Sequence, residues 1–165
     1  KSFNQPLNNW NVSNVVTMQE MFSGAISFNQ DISSWDVSNV NIMGGMFNSA
    51  TSFNQPLNSW DVSNVTSMNG MFASCSFNQP LNNWNVSKVD NMRWMFSFNN
   101  VFNQDISSWN VSNVTDMYSM FYLTYLFNQD LSSWNVSNVT VCDDFAINTD
   151  DWTLPKPNFT QCNPQ

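Results

Sequence analysis

The side chains of this sequence that could perform chemistry are mainly carboxylates. Asp143-Asp144 and Asp150-Asp151 are adjacent pairs near the end of the chain, and Asp105 and Asp130 occupy equivalent positions 25 residues apart. General acid-base catalysis would need two such groups in one pocket with separated pKa values. Calcium could bind to their oxygens, although the sequence has no D-x-[DN]-x-[DN]-G loop. We therefore predict no enzyme, no metal and no cofactor, with Ca²⁺ as the alternative.

Composition excludes several other function classes. The chain has no histidine, which rules out Ser-His-Asp and Cys-His nucleophile systems, and four glycines cannot build a nucleotide-binding loop. Four Lys+Arg against twelve Asp+Glu give a net charge of -8, which argues against nucleic acid and anionic membranes as partners. No 18-residue apolar run is present, so we expect a chain that does not span a membrane.

The three cysteines have different expected roles. Cys142 and Cys162 flank the point where the sequence pattern changes, and we predict a disulfide between them, the alternative being two reduced thiols. Cys75 takes a position that Ala25 and Ala50 hold elsewhere, so it should be buried and inert. A disulfide and an acidic, Asn/Ser-rich surface favour an extracellular or cell-surface location.

The elements that must position all these groups come from an internal repeat. The phrase FNQ recurs six times with spacings of 25, 25, 24, 25 and 25, starting at Phe3, Phe28, Phe53, Phe77, Phe102 and Phe127. All ten methionines fall into two columns of the repeat. A unit this short cannot bury an apolar face alone, so the units are expected to stack and share one core.

We predict a repeat solenoid over residues 1–146 and a C-terminal cap over residues 147–165. Alternation in Ser/Asn-Trp-Asn/Asp-Val-Ser predicts a short parallel β-strand in each repeat, with Trp and Val facing inward. Met-x-x-Met-Phe has apolar residues at i, i+3 and i+4, which predicts one short helical turn. The strand-to-strand crossover is expected to be right-handed. Rows of Trp, Met and Phe should form the core.

The strings FNQDISSWDVSNV and FNQPLNSWDVSNVTSMNGMF resemble the repeats of BspA-type proteins. These are divergent leucine-rich-repeat proteins of bacterial and protist surfaces or secretions. The resemblance extends from Phe3 to about Ala146 and implies a leucine-rich-repeat-like coil with adhesion or interaction roles. One departure is that valine, as at Val15 and Val40, replaces the usual buried asparagine after the strand.

Two surfaces could carry function. The outward positions of the predicted strands form a ladder of short polar side chains, at Asn11, Asp36, Asp61, Asn85, Asn110 and Asn135. This ladder could bind a glycan, a protein strand or ice, or could be a solvated face without a ligand. Asp36 beside Asp61 would be unfavourable unless screened or bridged by a cation.

The second surface is an aromatic patch where repeats four and five depart from the others, at Arg93, Trp94, Phe98, Tyr118, Tyr122 and Tyr125. Exposed Trp, Tyr and Arg dominate interaction hot spots, so these residues are candidates for binding a partner. The alternative is that some of them fill space beside Asn99 and Thr124, which replace the small residue of other repeats.

The sequence therefore predicts a non-enzymatic surface or secreted repeat module that binds a protein or glycan, or spaces other domains. The alternatives are an ice-binding solenoid that uses the flat Asn/Ser strand face and, with less support, a carbohydrate-active enzyme. Phe3, Leu7 and Trp10 of the first repeat are expected to be uncovered. This predicts either further repeats upstream or end-on self-association.

Overall fold

The computed structural model describes residues 2–165, so Lys1, the first residue of the predicted repeat region, lies outside it. The six repeats, called repeats 1 to 6 from their FNQ phrases, pack on one another in chain order. Within the described residues there is no α-helix, no 3₁₀-helix and no β-strand, and hence no helix that could cross a membrane. The regular pairing is limited to isolated parallel bridges along one column, Thr17, Ile42, Ser67, Asn91, Asp116 and Val141.

The prediction of a leucine-rich-repeat solenoid, with a strand and a helical turn in each repeat, is therefore wrong. The Trp-Asn/Asp-Val-Ser segment lies between two turns, the second of which begins at its serine. The N–H of Trp35 donates to the Ile32 carbonyl at 3.1 Å, and the N–H of Val40 donates to the Val37 carbonyl at 2.9 Å. Between them, the N–H of Ser38 donates to the Asp36 carboxylate at 3.1 Å. Asp, Asn and Ser side chains compete with sheet pairing in this way, so no ladder of strands forms.

The Met-x-x-Met-Phe segment is not helical because two residues in each repeat have a positive φ. These residues form two columns, which are Glu20, Gly45, Gly70, Trp94, Ser119 and Asp144, and Gly24, Ser49, Ser74, Phe98, Leu123 and Asn148. A left-handed residue every fourth position stops an α-helix from propagating. Glycine adopts the left-handed conformation without a steric penalty, and it occupies this position at Gly45 and Gly70 (φ 62° and 60°).

Backbone groups in these segments pair with the next repeat instead. The N–H of Glu20 donates to Gly44 at 2.8 Å, and the N–H of Phe22 donates to Met46 at 2.9 Å. The N–H between them, on Met21, donates to Met18 of its own repeat at 3.2 Å. This alternation satisfies the backbone without regular secondary structure, and it ties each repeat to its successor.

The core prediction is confirmed, because the aromatic and methionine columns of repeats 2 to 6 are buried. Two rows of phenylalanine run through the stack, and Phe22, Phe47 and Phe72 lie 5.7 Å apart, centroid to centroid. Each buried repeat tryptophan also donates its indole N–H to a carbonyl of the preceding repeat at 2.9–3.2 Å, the donors being Trp35, Trp60, Trp84, Trp109 and Trp134.

The FNQ phrase has a polar role that the sequence reading missed. The amide oxygen of Asn29 accepts hydrogen bonds from the N–H of Asn54 and the side chain of Gln55, both at 3.0 Å. Equivalent asparagines in the other repeats accept from the repeat that follows. Phenylalanine therefore stacks in the core while the next residue bonds the backbone of the neighbouring repeat.

The predicted cap disulfide is confirmed between Cys142 and Cys162, whose Cα atoms are 5.8 Å apart. Trp152 comes 25 residues after Phe127 and contacts it edge-on at 4.7 Å, so the tail continues the phenylalanine column with a larger ring. The Trp152 indole donates to Gln129 at 2.9 Å, and Leu131 donates to Pro155 at 2.9 Å. These contacts cover the apolar face of repeat 6.

The tryptophan column gives a matched test of the core. Trp84→Ala should lower the free energy of unfolding by about 3–5 kcal/mol, because it removes a buried ring and leaves a cavity. Trp10→Ala, at the 52% exposed position of repeat 1, should cost about 1 kcal/mol. Urea denaturation measures both values, and similar losses at the two positions would contradict the proposed packing.

Acid should weaken the turns. Hydrogen bonds from the hydroxyl and the N–H of Ser38 lower the pKa of Asp36, and those of Ser132 act likewise on Asp130. In the unfolded chain the aspartate pKa is about 3.9. The stabilisation is thus complete above about pH 3.9 and is lost as pH falls through the lower, folded pKa.

The urea concentration at the midpoint of unfolding should accordingly decrease as the pH is lowered from 5 to 2. Asp36→Asn is the matched variant, because asparagine occupies this column in repeats 1, 4, 5 and 6 and still accepts the turn hydrogen bond. This substitution should reduce the dependence of the free energy of unfolding on pH. An unchanged slope would show that the Asp36 turn contributes nothing to it.

Candidate functional site: an aromatic groove

A groove of about 600 Å³ runs along the side of the stack that carries the two positive-φ columns. We call it the aromatic groove; it is lined by Glu20, Ser23, Gly45, Asn48, Asn69, Gly70, Ala73, Ser74, Trp94, Ser97, Phe98, Tyr118, Ser119, Tyr122 and Asp144. Its volume lies within the range of small-molecule binding sites.

The groove forms because the first positive-φ column changes side-chain size along the stack. Gly45 and Gly70 contribute no side chain in repeats 2 and 3, whereas Trp94 contributes the largest one in repeat 4. The second column contributes Phe98 in the same repeat. Repeats 2 and 3 therefore leave a hollow beside an aromatic wall from repeats 4 and 5.

Four members of the predicted aromatic patch lie in this wall. Trp94 meets Tyr118 edge-on at 5.8 Å, and Phe98 meets Tyr122 edge-on at 5.4 Å. Trp94 and Phe98 are 42% and 49% exposed, so they are not core residues. Tyr125 is also exposed but does not line the groove.

Arg93 orders the wall from behind. Its guanidinium carbon lies 4.2 Å from the centre of the Trp94 ring and 4.0 Å from that of Tyr118. The same group lies 3.6 Å from the Asp116 carboxylate. The Arg93 guanidinium therefore makes cation–π contacts with two rings of the wall and an ionic contact with Asp116.

The backbone at the wall is strained. Trp94 and Phe98 have φ values of 57° and 59°, a conformation that costs a bulky residue about 1–2 kcal/mol. Glu20 and Leu123 share this conformation, so it belongs to the fold. What is unusual is the choice of two large aromatic residues for it in one repeat. Strain of this kind is concentrated at functional sites.

The asparagine-aspartate ladder does not form the flat strand face that the sequence reading predicted. Asn11, Asp61, Asn85, Asn110 and Asn135, like Asp36, accept a hydrogen bond from the serine two residues later, as part of a turn. The ice-binding alternative loses its flat strand face with this correction. Hydrogen bonds from Ser63 lower the pKa of Asp61. The positive charge of Lys88 lowers it further, whereas the negative charge of Asp36 raises it.

The groups considered for chemistry are separated. Cys75 is buried, and burial raises the pKa of its thiol to about 12, which makes it unreactive as expected. Asp144 lines the end of the groove and accepts from the Tyr118 hydroxyl at 3.4 Å. In the part of the chain that the structure describes, no three His, Cys, Asp or Glu residues come close enough to hold a metal ion.

Sequence reasoning found the aromatic wall and missed the hollow beside it. Gly45, Gly70 and Asn69 were not among the predicted site residues, although they line the groove. The signal was present: aligned on FNQ, one column reads Glu, Gly, Gly, Trp, Ser, Asp. Glycine in two successive repeats indicates a left-handed backbone position without a side chain. Tryptophan at the same position of the next repeat indicates a large side chain beside the space that the glycines leave.

The comparisons with known proteins identify a family but no function. No curated protein and no solved structure matches the chain. A family described as "Mycoplasma protein of unknown function, DUF285" matches residues 1–76 and residues 57–153. The two overlapping matches agree with a repeat protein and leave the resemblance to BspA-type repeats unconfirmed. Since they cover most of the 165 residues, the chain belongs to the DUF285 family.

Proposed function

We propose that this chain is a non-enzymatic repeat module of a surface or secreted protein, and that it binds a protein or glycan partner in the aromatic groove. The observation that carries the proposal is the exposure of Trp94 and Phe98, which both belong to repeat 4, both have a positive φ and both line the groove. The Cys142–Cys162 disulfide supports an oxidising, extracellular environment.

Binding fits the groove better than catalysis does. Its two carboxylates belong to Glu20 in repeat 1 and Asp144 in repeat 6. Five steps of about 4.8 Å between paired chains place them on the order of 24 Å apart. Carboxylates that cleave glycosidic bonds lie within about 10 Å of each other. The two groups are too distant to act on one bond.

The wall is also well suited to recognition because it is ordered before a partner arrives. The N–H of Trp94 donates to Tyr118 at 2.9 Å, and that of Phe98 donates to Tyr122 at 2.8 Å. Arg93 fixes the two rings beside it. A preorganised aromatic surface loses little side-chain entropy on binding, so more of the contact energy contributes to affinity.

Trp94→Gly tests this proposal directly. Glycine relieves the positive-φ strain and occupies the same column in repeats 2 and 3, so the free energy of unfolding should stay the same or rise. Binding to a partner found by glycan array or pull-down should weaken at least tenfold, about 1.4 kcal/mol.

Tyr125→Ala is the matched control, because Tyr125 is an exposed aromatic residue of the neighbouring repeat outside the groove. It should leave binding unchanged. Equal binding by wild type and Trp94→Gly would exclude the groove, and a large loss of stability in Trp94→Gly would show that Trp94 is a packing residue.

We also propose end-on self-association through repeat 1. Phe3 and Trp10 are 44% and 52% exposed, whereas their equivalents Phe28 and Trp35 are buried. The prediction was wrong for Leu7, which is buried within the core of repeat 1. This is the surface that every later repeat presents to its predecessor, so at repeat 1 it is open either to a preceding repeat or to a second copy. Two copies that meet repeat 1 to repeat 1 would bury these exposed rings.

Sedimentation velocity from about 1 to 100 μM tests this association. The wild type should shift from monomer to dimer with concentration, and Trp10→Ser should remain monomeric because it removes the largest apolar group of the end face. A monomer over the whole range would contradict the proposal.

A further inference from the structure

We propose that the ligand of the aromatic groove is an uncharged oligosaccharide that lies along the stack across the repeats. This inference rests on the proposed function and specifies the chemical class of its partner. It follows from four properties of the groove, namely its charge, its backbone, its side chains and the periodicity of its repeats.

The charge of the groove disfavours anionic ligands. The lining residues from Gly45 to Ser119 include no carboxylate, ammonium or guanidinium group. Carboxylates stand at the two ends, at Glu20 and Asp144. The cation nearest in sequence to the wall, Arg93, lies 3.6 Å from the Asp116 carboxylate and packs against two rings of the wall, with 32% of its side chain exposed. A sulfated, sialylated or uronic-acid chain would meet repulsion at both ends, and the guanidinium of Arg93 beside the wall is already paired with Asp116.

The backbone of the groove disfavours an extended peptide. Peptides commonly bind by adding a strand to an open sheet edge. Here the N–H of Gly45 donates to Asn69, that of Gly70 donates to Arg93, and that of Trp94 donates to Tyr118, all at 2.7–2.9 Å. These groups are used between repeats, so the groove offers no such edge. Recognition must use side chains.

Those side chains suit a ligand with apolar ring faces and many hydroxyls. Trp94 and Phe98 present exposed aromatic surface on which a sugar ring can pack. The amide oxygens of Asn48 and Asn69 accept from Ser49 and Ser67 at 2.8 and 2.9 Å. This leaves their amide N–H groups to donate to ligand hydroxyls.

The stack also has the periodicity of a polymer. Paired chains are spaced at about 4.8 Å, comparable to the length of one sugar unit. Asn48, Asn69 and Trp94 come from repeats 2, 3 and 4, so successive sugars can meet successive repeats. A chain along the stack would place one sugar on the aromatic wall and its neighbours over the hollow of Gly45 and Gly70.

The test is titration of the whole chain with neutral oligosaccharides by calorimetry and tryptophan fluorescence. The probes are hexamers of α-linked glucose, β-linked glucose and β-linked N-acetylglucosamine, beside heparin and sialylated oligosaccharides, and a lysine-rich peptide. We expect at least one neutral hexamer to bind, with its affinity unchanged between 50 and 500 mM NaCl. Trp94→Gly should weaken the binding of this hexamer at least tenfold, and Asn69→Ala should weaken it several-fold. Tyr125→Ala should leave the binding unchanged.

Binding of only charged glycans, the peptide or a protein, with sensitivity to Trp94→Gly, would overturn this inference and leave the proposed function standing. Absence of any partner that distinguishes Trp94→Gly from the wild type would overturn both. Neutral-sugar binding that is insensitive to Trp94→Gly and Asn69→Ala would overturn the groove assignment.

Discussion

The structure depends on one constraint, which is that each repeat must satisfy the polar backbone of its neighbour. Within residues 2–165 no helix or strand satisfies these groups. Alternating turns and inter-repeat hydrogen bonds do so instead, as when Phe47 donates to Met71 at 2.9 Å while Met46 donates to Met43 at 3.2 Å. Unpaired buried N–H and C=O groups are costly, so a repeat without neighbours would not hold this conformation.

The same constraint explains where the molecule can vary. Each residue of a core column packs against its equivalents in the repeats before and after it. A change at Phe47 would therefore disturb its contacts with both neighbouring repeats, and a change at Trp60 would remove its hydrogen bond to the preceding repeat. The first positive-φ column instead lines the groove, and its residues range in size from Gly70 to Trp94. Variation there costs backbone strain but leaves the inter-repeat hydrogen bonds intact. This is why the groove lies on this side of the stack.

Buried polar residues show how far a repeat can depart from the others. The small-residue column contains Ala50, Cys75, Asn99 and Thr124 in turn. Thr124 donates to Phe96 at 2.8 Å, and Asn99 donates to Phe77 at 3.0 Å. These changes occur in the repeats that carry the aromatic wall. Both side chains are buried, so the space beside the small-residue column is filled by these residues, whereas Trp94 and Phe98 remain outside.

The sequence by itself determined the repeat phase, the buried columns, the cap with Cys142–Cys162 and the aromatic patch around Trp94, because these follow from residue type at a fixed period. It did not determine the local backbone. Inward Trp and Val with outward Asn and Ser look alike in a strand and in an irregular segment between turns, and only hydrogen bonds such as those from Ser38 to Asp36 and from Trp35 to Ile32 decide between them. The groove was decided by tertiary structure, since a hollow at Gly45 and Gly70 exists only when neighbouring repeats bring Trp94 beside it.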